Sequence, residues 1–249
     1  MARVALVLSG GGAKGAFAVG VLQELLPRLK QLGRSPSIFA STSTGSFISP
    51  LALTGRLDQL ALFYTSLSTD QVLALRTPGQ LFSYPALADP GPIRNIVAQN
   101  LTDQIWQDIL AAGGQGVTFM VTAVSLQTGE LFLFHAGAAI PPFADKVIDG
   151  VPAWRYAELL AADHLRGAVL ASGMEPTRLD PVRITYEPQP DNPARMRVRG
   201  IGGNVPSPWR PPFTAQFVDG GVRALAPVEA AIALGADEVF LVANQPSRK

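Results

Sequence analysis

Hydrophobic positions near the N-terminus predict two successive strand–loop–helix units. Residues 4–8 form an uninterrupted aliphatic run, which is typical of a parallel strand covered on both faces. From Ala16 onwards, apolar residues recur at the spacing of a helix that buries one side. A second short apolar run, residues 37–40, precedes a polar loop, and another helical pattern begins at Phe47. This alternation predicts a parallel sheet with right-handed crossover connections.

Later segments continue the alternation of strands and helices. Residues 117–136 predict two strands joined around residues 127–129, which carry a hairpin signal. Residues 215–219 predict a strand that ends in an aspartate, and residues 237–244 predict a closing strand. Residues 186–212 hold seven prolines and predict an irregular insertion with at most one hairpin. Neither a repeat nor a linker is evident, so we predict a single domain over residues 1–249.

Composition narrows the classes of function. Hydrophobic residues make up 47% of the 249 residues and charged residues 16%, which is typical of a folded protein. The net charge of +1 favours neither nucleic acid nor an acidic partner. The absence of cysteine excludes disulfides, thiol nucleophiles and Cys-based zinc sites, and two histidines are too few for a histidine-rich metal centre. We expect a cytoplasmic protein that makes at most peripheral contact with membranes.

The first glycine-rich loop matches two nucleotide-binding patterns only in part. Gly10 to Gly15 fit G-x-G-x-x-G, but the second predicted strand ends without the acidic residue that a dinucleotide site uses to bind the ribose. A Walker loop is also disfavoured, because Lys14 is followed by glycine rather than by serine or threonine. Bare backbone amides at a helix N-terminus also stabilise an oxyanion. The loop therefore fits acyl transfer better than nucleotide binding.

The second loop offers a candidate nucleophile. Its sequence "STSTG", residues 41–45, resembles the nucleophile elbow G-x-S-x-G, with Ser43 at the centre and Ser41 in place of the first glycine. The alternative is a polar loop that caps the following helix, since serine and threonine are preferred capping residues. Both loops are expected at the carboxyl ends of neighbouring parallel strands, where α/β active sites form.

Chain order disfavours a conventional Ser–His–Asp triad. In the α/β-hydrolase order the histidine follows the acid, but His135 and His164 both precede Asp219, the last good acid candidate. Asp219 ends an apolar run and is followed by two glycines, so it is the better candidate base. The alternative for this segment is an ordinary Asp-Gly turn.

Three blocks in this order resemble the patatin-like phospholipases: "SGGGAKGA", "STSTGS" and "VDGG". Supporting segments are "VTAVSLQTGELFLF", "AVLASGMEP" and "LGADEVFLV", and the likeness extends over most of residues 3–243. The resemblance implies a three-layer α/β domain with a mainly parallel central sheet and helices on both faces.

The resemblance also implies a Ser–Asp dyad that hydrolyses a phospholipid or another lipid ester through an acyl-enzyme, without metal or cofactor. Ser43 would be the nucleophile and Asp219 the base, and the oxyanion hole would comprise Gly10, Gly11 and Gly12. Further motif positions are Lys14, Gly15, Gly45, Gly220 and Gly221. Such an enzyme must contact a membrane or micelle transiently, and nothing predicts a nucleic-acid partner.

Three departures from the family pattern keep a second function open. Ser41 replaces the usual glycine of the elbow, and Leu225 stands where asparagine is common. Met174 and Glu175 occupy positions where small residues are common. The alternative is therefore a catalytically weak or inactive module that binds a lipid or a partner.

Residues 80–92 admit two interpretations. The segment carries Phe82, Tyr84 and Leu87 among turn residues, so it predicts either a lid that meets lipid or an ordinary covered loop. Loop aromatics usually pack against the protein, which favours the covered loop.

Overall fold

A nine-stranded mixed sheet organises the described part of the chain. The structure, a computed structural model, describes residues 2–66, 72–84, 86–192, 194–202 and 211–244. Its strands are β1 Val4–Leu8, β2 Ile38–Ser41, β3 Ala74–Leu75, β4 Ala88–Asp89, β5 Thr118–Ser125, β6 Leu131–Gly137, β7 Val147–Ile148, β8 Val151–Pro152, β9 Arg155–Glu158, β10 Val182–Pro188, β11 Met196–Ile201, β12 Phe213–Asp219 and β13 Glu238–Val242. Its α-helices are α1 Gly15–Gln31, α2 Thr44–Leu53, α3 Leu57–Ser66, α4 Gly91–Asn100, α5 Asp103–Gly114, α6 Ala162–Gly173 and α7 Val228–Ala233.

Four strands, in the order β13-β1-β2-β5, form a parallel arm of the sheet. Alternate residues of β1 belong to two different hydrophobic clusters. Leu6 and Leu8 pack in a cluster with residues of α1 and α2, whereas Ala5 and Val7 pack with residues of α7. Because both faces of β1 are covered, its sequence is aliphatic throughout instead of alternating with polar residues.

The remaining strands close into a ring with β5, in the order β5-β6-β9-β11-β10-β12 and back to β5. The pairings β5–β6, β11–β10, β10–β12 and β12–β5 are antiparallel, so the sheet is mixed. The expectation of a mainly parallel sheet fits the arm but not this ring. A short connection explains one of these pairs, because the tight hairpin at residues 126–130 can join β5 and β6 only as antiparallel strands.

Part of the stretch expected to be irregular forms regular structure. β10 extends to Pro188, and β11 at Met196–Ile201 pairs with both β10 and β9. Met196 and Val198 of β11 are buried, whereas the adjacent Arg199 is exposed. Burial therefore alternates along the strand with a period of two residues. Prolines on either side hide this pattern in the sequence. Residues 193 and 203–210 of the expected insertion lie outside the described residues.

Within the described ranges, no helix is both long enough and apolar enough to cross a membrane.

Candidate active site

The carboxyl ends of β2 and β12 meet head to head along one edge of β5. β2 runs parallel to the first half of β5, with Ser41 opposite Val121. β12 runs antiparallel along the second half, with Asp219 opposite Ala123. Both strands therefore end beside Thr122. This arrangement brings the loop that follows β2 next to Asp219, although the two are distant in sequence.

Close packing holds the two strand ends together. The Thr42 hydroxyl donates to the carbonyl of Ala224 at 2.9 Å and lies 2.7 Å from the Thr122 hydroxyl, which donates to it. A Cβ on Gly220 would lie 2.6 Å from the Thr122 carbonyl oxygen and would also overlap the Thr122 side chain. Only glycine allows the residue after Asp219 to approach β5 this closely.

Ser43 occupies a strained turn between β2 and α2. Its φ of 54° and ψ of −128° make it one of three non-glycine residues with positive φ in the described ranges. Its amide donates to the Ser172 hydroxyl at 2.9 Å. A Cβ on Gly45 would lie 2.6 Å from the carbonyl oxygen of Leu8, so the glycine lets α2 pack directly on β1. Ser43 precedes α2, but its side chain makes no capping hydrogen bond.

The Ser43 hydroxyl interacts instead with a buried carboxylate. Asp219 is buried, its amide donates to the Met174 carbonyl at 2.9 Å, and its Oδ1 accepts the Gly221 amide at 2.7 Å. Burial raises the pKa of Asp219 above its ordinary value, and the charge of Glu175 adds to the rise. Hydrogen bonds from Ser43 and Gly221 lower the pKa but do not cancel the effect of burial. A carboxylate with raised proton affinity beside a hydroxyl suits general base catalysis.

Gly10 brings the first loop against Ser43 but does not offer a free amide. A Cβ on Gly10 would lie 3.0 Å from the Ser43 Cβ, so glycine is what allows the contact. The Gly10 amide donates to the carbonyl of Leu225 at 2.9 Å. The Gly10 amide is therefore already used within the fold, and its expected role as an oxyanion donor stays a prediction.

Gly11 and Gly12 keep their amides available. Within the described residues, neither amide donates a hydrogen bond. The Thr44 hydroxyl donates to the Gly12 carbonyl at 2.8 Å and fixes this peptide relative to α2. Gly12 has a φ of +56°, a conformation that costs an L-residue about 1–2 kcal/mol. Gly11 packs against Asn244, whose carbonyl oxygen would lie 2.9 Å from an added Cβ.

The other expected motif positions have packing roles or remain at the surface. A Cβ on Gly15 would lie 2.5 Å from the Tyr64 hydroxyl oxygen, so Gly15 allows α1 to approach α3. Gly221 donates its amide to Asp219. Lys14 is exposed, and its side chain makes neither a hydrogen bond nor an ion pair with any described residue.

Ser43 and Asp219 line a cavity of about 460 Å³ whose wall is mostly apolar. An ion pair of 3.1 Å between Glu175 and Arg178, both more than half exposed, lies at its rim. Such a cavity fits an acyl chain with a polar group at one end. The apolar side chains that line it are Ala13, Ala16, Phe47, Phe63, Val72, Leu73, Ile93, Ile96, Val97, Val169, Leu170 and Leu179.

The departures from the family pattern are accommodated by the structure. The Ser41 hydroxyl is buried and donates to the Met120 carbonyl at 3.2 Å, so it leaves no unsatisfied polar group. Leu225 packs its side chain beside Gly10 and Gly221. Met174 is buried in the larger hydrophobic cluster. None of these residues displaces Ser43 or Asp219.

Both histidines lie in structural positions. His135 is fully enclosed and packs edge-on against Tyr156 with ring centroids 6.0 Å apart. Burial, reinforced by the charge of Arg195, lowers the pKa of His135 to about 3. The Nδ1 atom of His164 accepts the Leu160 amide at 3.2 Å near the start of α6, and burial lowers its pKa.

Two residues at the site were not singled out from the sequence. Ser172, which accepts the Ser43 amide, lies inside the "AVLASGMEP" segment, and its own signal is only that this segment is rich in small residues. Thr44, which holds Gly12, is the variable residue of the elbow pattern. Both act through backbone groups, which a side-chain motif does not reveal.

Comparisons with known proteins identify the family of the chain. The family model described as patatin-like phospholipase matches residues 6–232, so the chain belongs to this family. A protein of Escherichia coli described as a cUMP-AMP-activated phospholipase is 28% identical over 153 residues, which are 59% of this chain and 45% of that protein. The crystal structure of VipD from Legionella pneumophila aligns with a TM-score of 0.45 at 12% identity, over 97% of this chain and 49% of that one. This chain therefore spans about half the length of these relatives.

Proposed function

We propose that the chain is a serine lipid acyl hydrolase that cleaves a carboxylic ester through an acyl-enzyme on Ser43. The observation that carries the proposal is that the strained Ser43 and the buried Asp219 lie together at the wall of one apolar cavity, where the Ser43 hydroxyl lowers the raised pKa of Asp219. Family membership supports a lipid ester as the substrate. A dyad needs only these two side chains and a set of oxyanion donors.

In the first half-reaction, the Ser43 Oγ attacks the ester carbonyl while Asp219 accepts the hydroxyl proton. The C–O double bond opens to an oxyanion, which the amides of Gly11 and Gly12 bind in this mechanism. Neither amide donates to another described residue, which supports this assignment. The tetrahedral intermediate then collapses. The bond to the alcohol breaks, Asp219 returns the proton to the leaving oxygen, and the acyl group stays on Ser43.

In the second half-reaction, water replaces the alcohol. Asp219 accepts a proton from the water while the water oxygen attacks the acyl carbonyl. The amides of Gly11 and Gly12 bind the second oxyanion. Collapse breaks the bond to Ser43 and releases a fatty acid, while Asp219 returns the proton to the Ser43 oxygen. The enzyme ends in its starting state, with one ester bond and one water consumed.

The glycine loop acts as a preorganised donor pair in this mechanism. The hydrogen bond from Thr44 to the Gly12 carbonyl fixes the loop, so the amides need little reorganisation as charge develops. Replacing Thr44 by valine keeps the shape and removes this hydrogen bond. We expect kcat to fall about tenfold or more, with a smaller change in KM, because the loss is felt mainly in the transition state.

Fatty-acid release from phospholipid vesicles and hydrolysis of p-nitrophenyl butyrate test the proposal. We expect Ser43→Ala and Asp219→Asn each to lower kcat/KM by about 1000-fold or more. Matched controls are Ser66→Ala and Asp58→Asn, exposed positions of α3 that should keep the wild-type rate within about twofold. Turnover that survives both Ser43→Ala and Asp219→Asn would refute the dyad. Saturable lipid binding by a wild type that hydrolyses nothing would assign the binding role instead.

A further inference from the structure

Exposed large apolar side chains are concentrated on the hairpin of β3 and β4. We define the apolar rim as Leu75, Leu81, Phe82, Tyr84 and Leu87, whose exposed fractions are 81%, 40%, 95%, 50% and 51%. The expectation that this segment is an ordinary covered loop is therefore wrong for its large apolar side chains. Such a cluster on a protein surface marks a site of interaction.

The apolar rim lies between two stretches of the chain that line the active-site cavity. The chain enters the segment from Val72 and Leu73 and leaves it towards Ile93, and all three line the cavity. In between, the Ala88 amide donates to the carbonyl of Arg178, another lining residue, at 2.8 Å. The backbone on both sides of the rim therefore holds it next to the cavity wall.

Arg76 holds the segment in place. Its side chain is largely buried, pairs with the carboxylate of Asp180, and donates to the carbonyl of Ala86 at 2.8 Å. Its guanidinium also lies 4.3 Å from the centre of the Tyr84 ring, and its amide donates to the Leu87 carbonyl at 2.9 Å. Because Arg76 links both sides of the hairpin, the segment cannot easily rearrange to bury Phe82. The outward position of Phe82 is built into the fold.

Charge on this segment is nearly absent. Between residues 72 and 91 the sequence contains two charged residues, Arg76 and Asp89. Arg76 is paired with Asp180, and Asp89 accepts the Gly91 amide at 3.0 Å. A basic surface would attract anionic headgroups, but the large exposed side chains of this segment are apolar, and the exposed Arg178 beside it is paired with Glu175. Its chemistry fits the acyl region of a membrane rather than a charged protein or a charged headgroup.

We infer that the apolar rim inserts into the surface of a lipid bilayer and delivers the cavity mouth to its substrate. This inference rests on the proposed function for the identity of the partner. The binding is driven by apolar burial, so electrically neutral phosphatidylcholine is sufficient and salt has little effect.

Cosedimentation with phosphatidylcholine vesicles tests the inference on the full chain carrying Ser43→Ala, which leaves the vesicles intact. We expect the added pair Leu75→Ser and Phe82→Ser to lower the partition coefficient by about tenfold or more. Raising NaCl from about 0.1 to about 0.5 M should change it by less than about twofold. The matched control is Ile232→Ser, 57% exposed on α7, which packs with the other hydrophobic cluster. It should bind vesicles like its parent.

Phe82→Ser alone guards against misfolding, because a side chain that is 95% exposed contributes almost nothing to packing. We expect this single change to lower partitioning as well, and thermal unfolding checks that each variant is folded. The inference is overturned if the parent does not bind the vesicles, if the rim variants bind like the parent, or if salt abolishes binding. In particular, unchanged vesicle binding with an altered rate on soluble ester would identify a lid instead.

Failure of the proposed function would look different. If wild type hydrolyses no ester while the Ser43→Ala chain still binds vesicles through the rim, the rim stands and the hydrolase proposal falls. If ester hydrolysis depends on Ser43 while the rim variants bind vesicles like their parent, the hydrolase proposal stands and the inference about the rim falls.

Discussion

Asp219 and His135 are both buried titratable groups in the ring of strands, yet different residues surround them. Asp219 ends β12 and His135 lies in β6, and both strands pair with β5. Burial raises the pKa of Asp219 and lowers the pKa of His135 to about 3, so in each case it favours the neutral form. The difference is that Asp219 contacts Ser43 and lines the cavity, whereas His135 packs against Tyr156.

Strand alternation explains why the two groups differ. Phe132 and Phe134 of β6 belong to the cluster on the cavity side, and Leu131 and Leu133 belong to the cluster on the other side. His135 continues the second set and faces away from the cavity. A perturbed pKa alone therefore does not identify a base. Contact with Ser43 and a place in the cavity wall distinguish Asp219 from His135.

The largest expected difference between the two groups is in activity. Asp219→Asn should lower kcat/KM on p-nitrophenyl butyrate by about 1000-fold, because the base is lost. His135→Gln, which also replaces a titratable group by a neutral amide, should keep the rate within about threefold when the variant is folded. A loss of 100-fold or more in His135→Gln with a near-normal Asp219→Asn would reverse the comparison.

The packing beside Asp219 should be more sensitive to an added methyl group than packing elsewhere. Gly220→Ala would place a Cβ 2.6 Å from the Thr122 carbonyl oxygen, and we expect it to lower the free energy of unfolding by about 3 kcal/mol. The control is Gly114→Ala at the end of α5, where no atom lies within 4 Å of the added Cβ. Urea denaturation measures both. Equal stability of the two variants would contradict the close contact between β12 and β5.

The two buried groups should also give opposite dependences of stability on pH. His135 binds protons less well in the folded state, so stability is lost as pH falls below its ordinary pKa of 6.5. From pH 7 to pH 5, His135 should lower the free energy of unfolding by about 2 kcal/mol. Asp219 binds protons better in the folded state. The stability that this group contributes is therefore lost as the pH rises from the ordinary pKa of an aspartate through the raised pKa of Asp219.

Denaturation series at several pH values separate these contributions. His135→Gln should flatten the decline in stability between pH 7 and pH 5, and Asp219→Asn should raise stability at neutral pH. A steeper decline in His135→Gln, or a destabilised Asp219→Asn, would contradict the assigned directions.

The smallest expected effect concerns Glu175. Its charge raises the pKa of Asp219, so Glu175→Gln should move the acid limb of the kcat/KM profile to lower pH without abolishing activity. Glu24→Gln on the exposed face of α1 is the control and should leave the profile unchanged. A shift to higher pH in Glu175→Gln would mean that this charge acts on a different group.

The parts of the fold that were predictable have local signals. The aliphatic run of β1 and the hairpin signal at residues 127–129 are each read within a few residues, and both correspond to strands in the structure. Ser43 and Asp219 were candidates because each ends a strand pattern and is followed by small residues. These features need no knowledge of distant pairings.

The rest depends on contacts that no local pattern encodes. β12 pairs with β5 across a separation of about ninety residues, and this pairing alone makes the ring and brings Asp219 to Ser43. Gly10 was expected to donate to an oxyanion, but its amide reaches Leu225, whose position depends on the turn after β12. The exposure of Phe82 likewise depends on Arg76 and Asp180, which lie far apart in the sequence.

Covalent labelling of Ser43 tests the dyad most directly. The rate of modification by a fluorophosphonate, with the labelled peptide identified by mass spectrometry, reports the nucleophilicity of one hydroxyl without any choice of lipid. We predict that wild type is labelled at Ser43 with a rate that rises with pH as Asp219 ionises, and that Asp219→Asn is labelled at least about 100-fold more slowly. Label on another serine, or equal labelling rates in wild type and Asp219→Asn, would contradict the account.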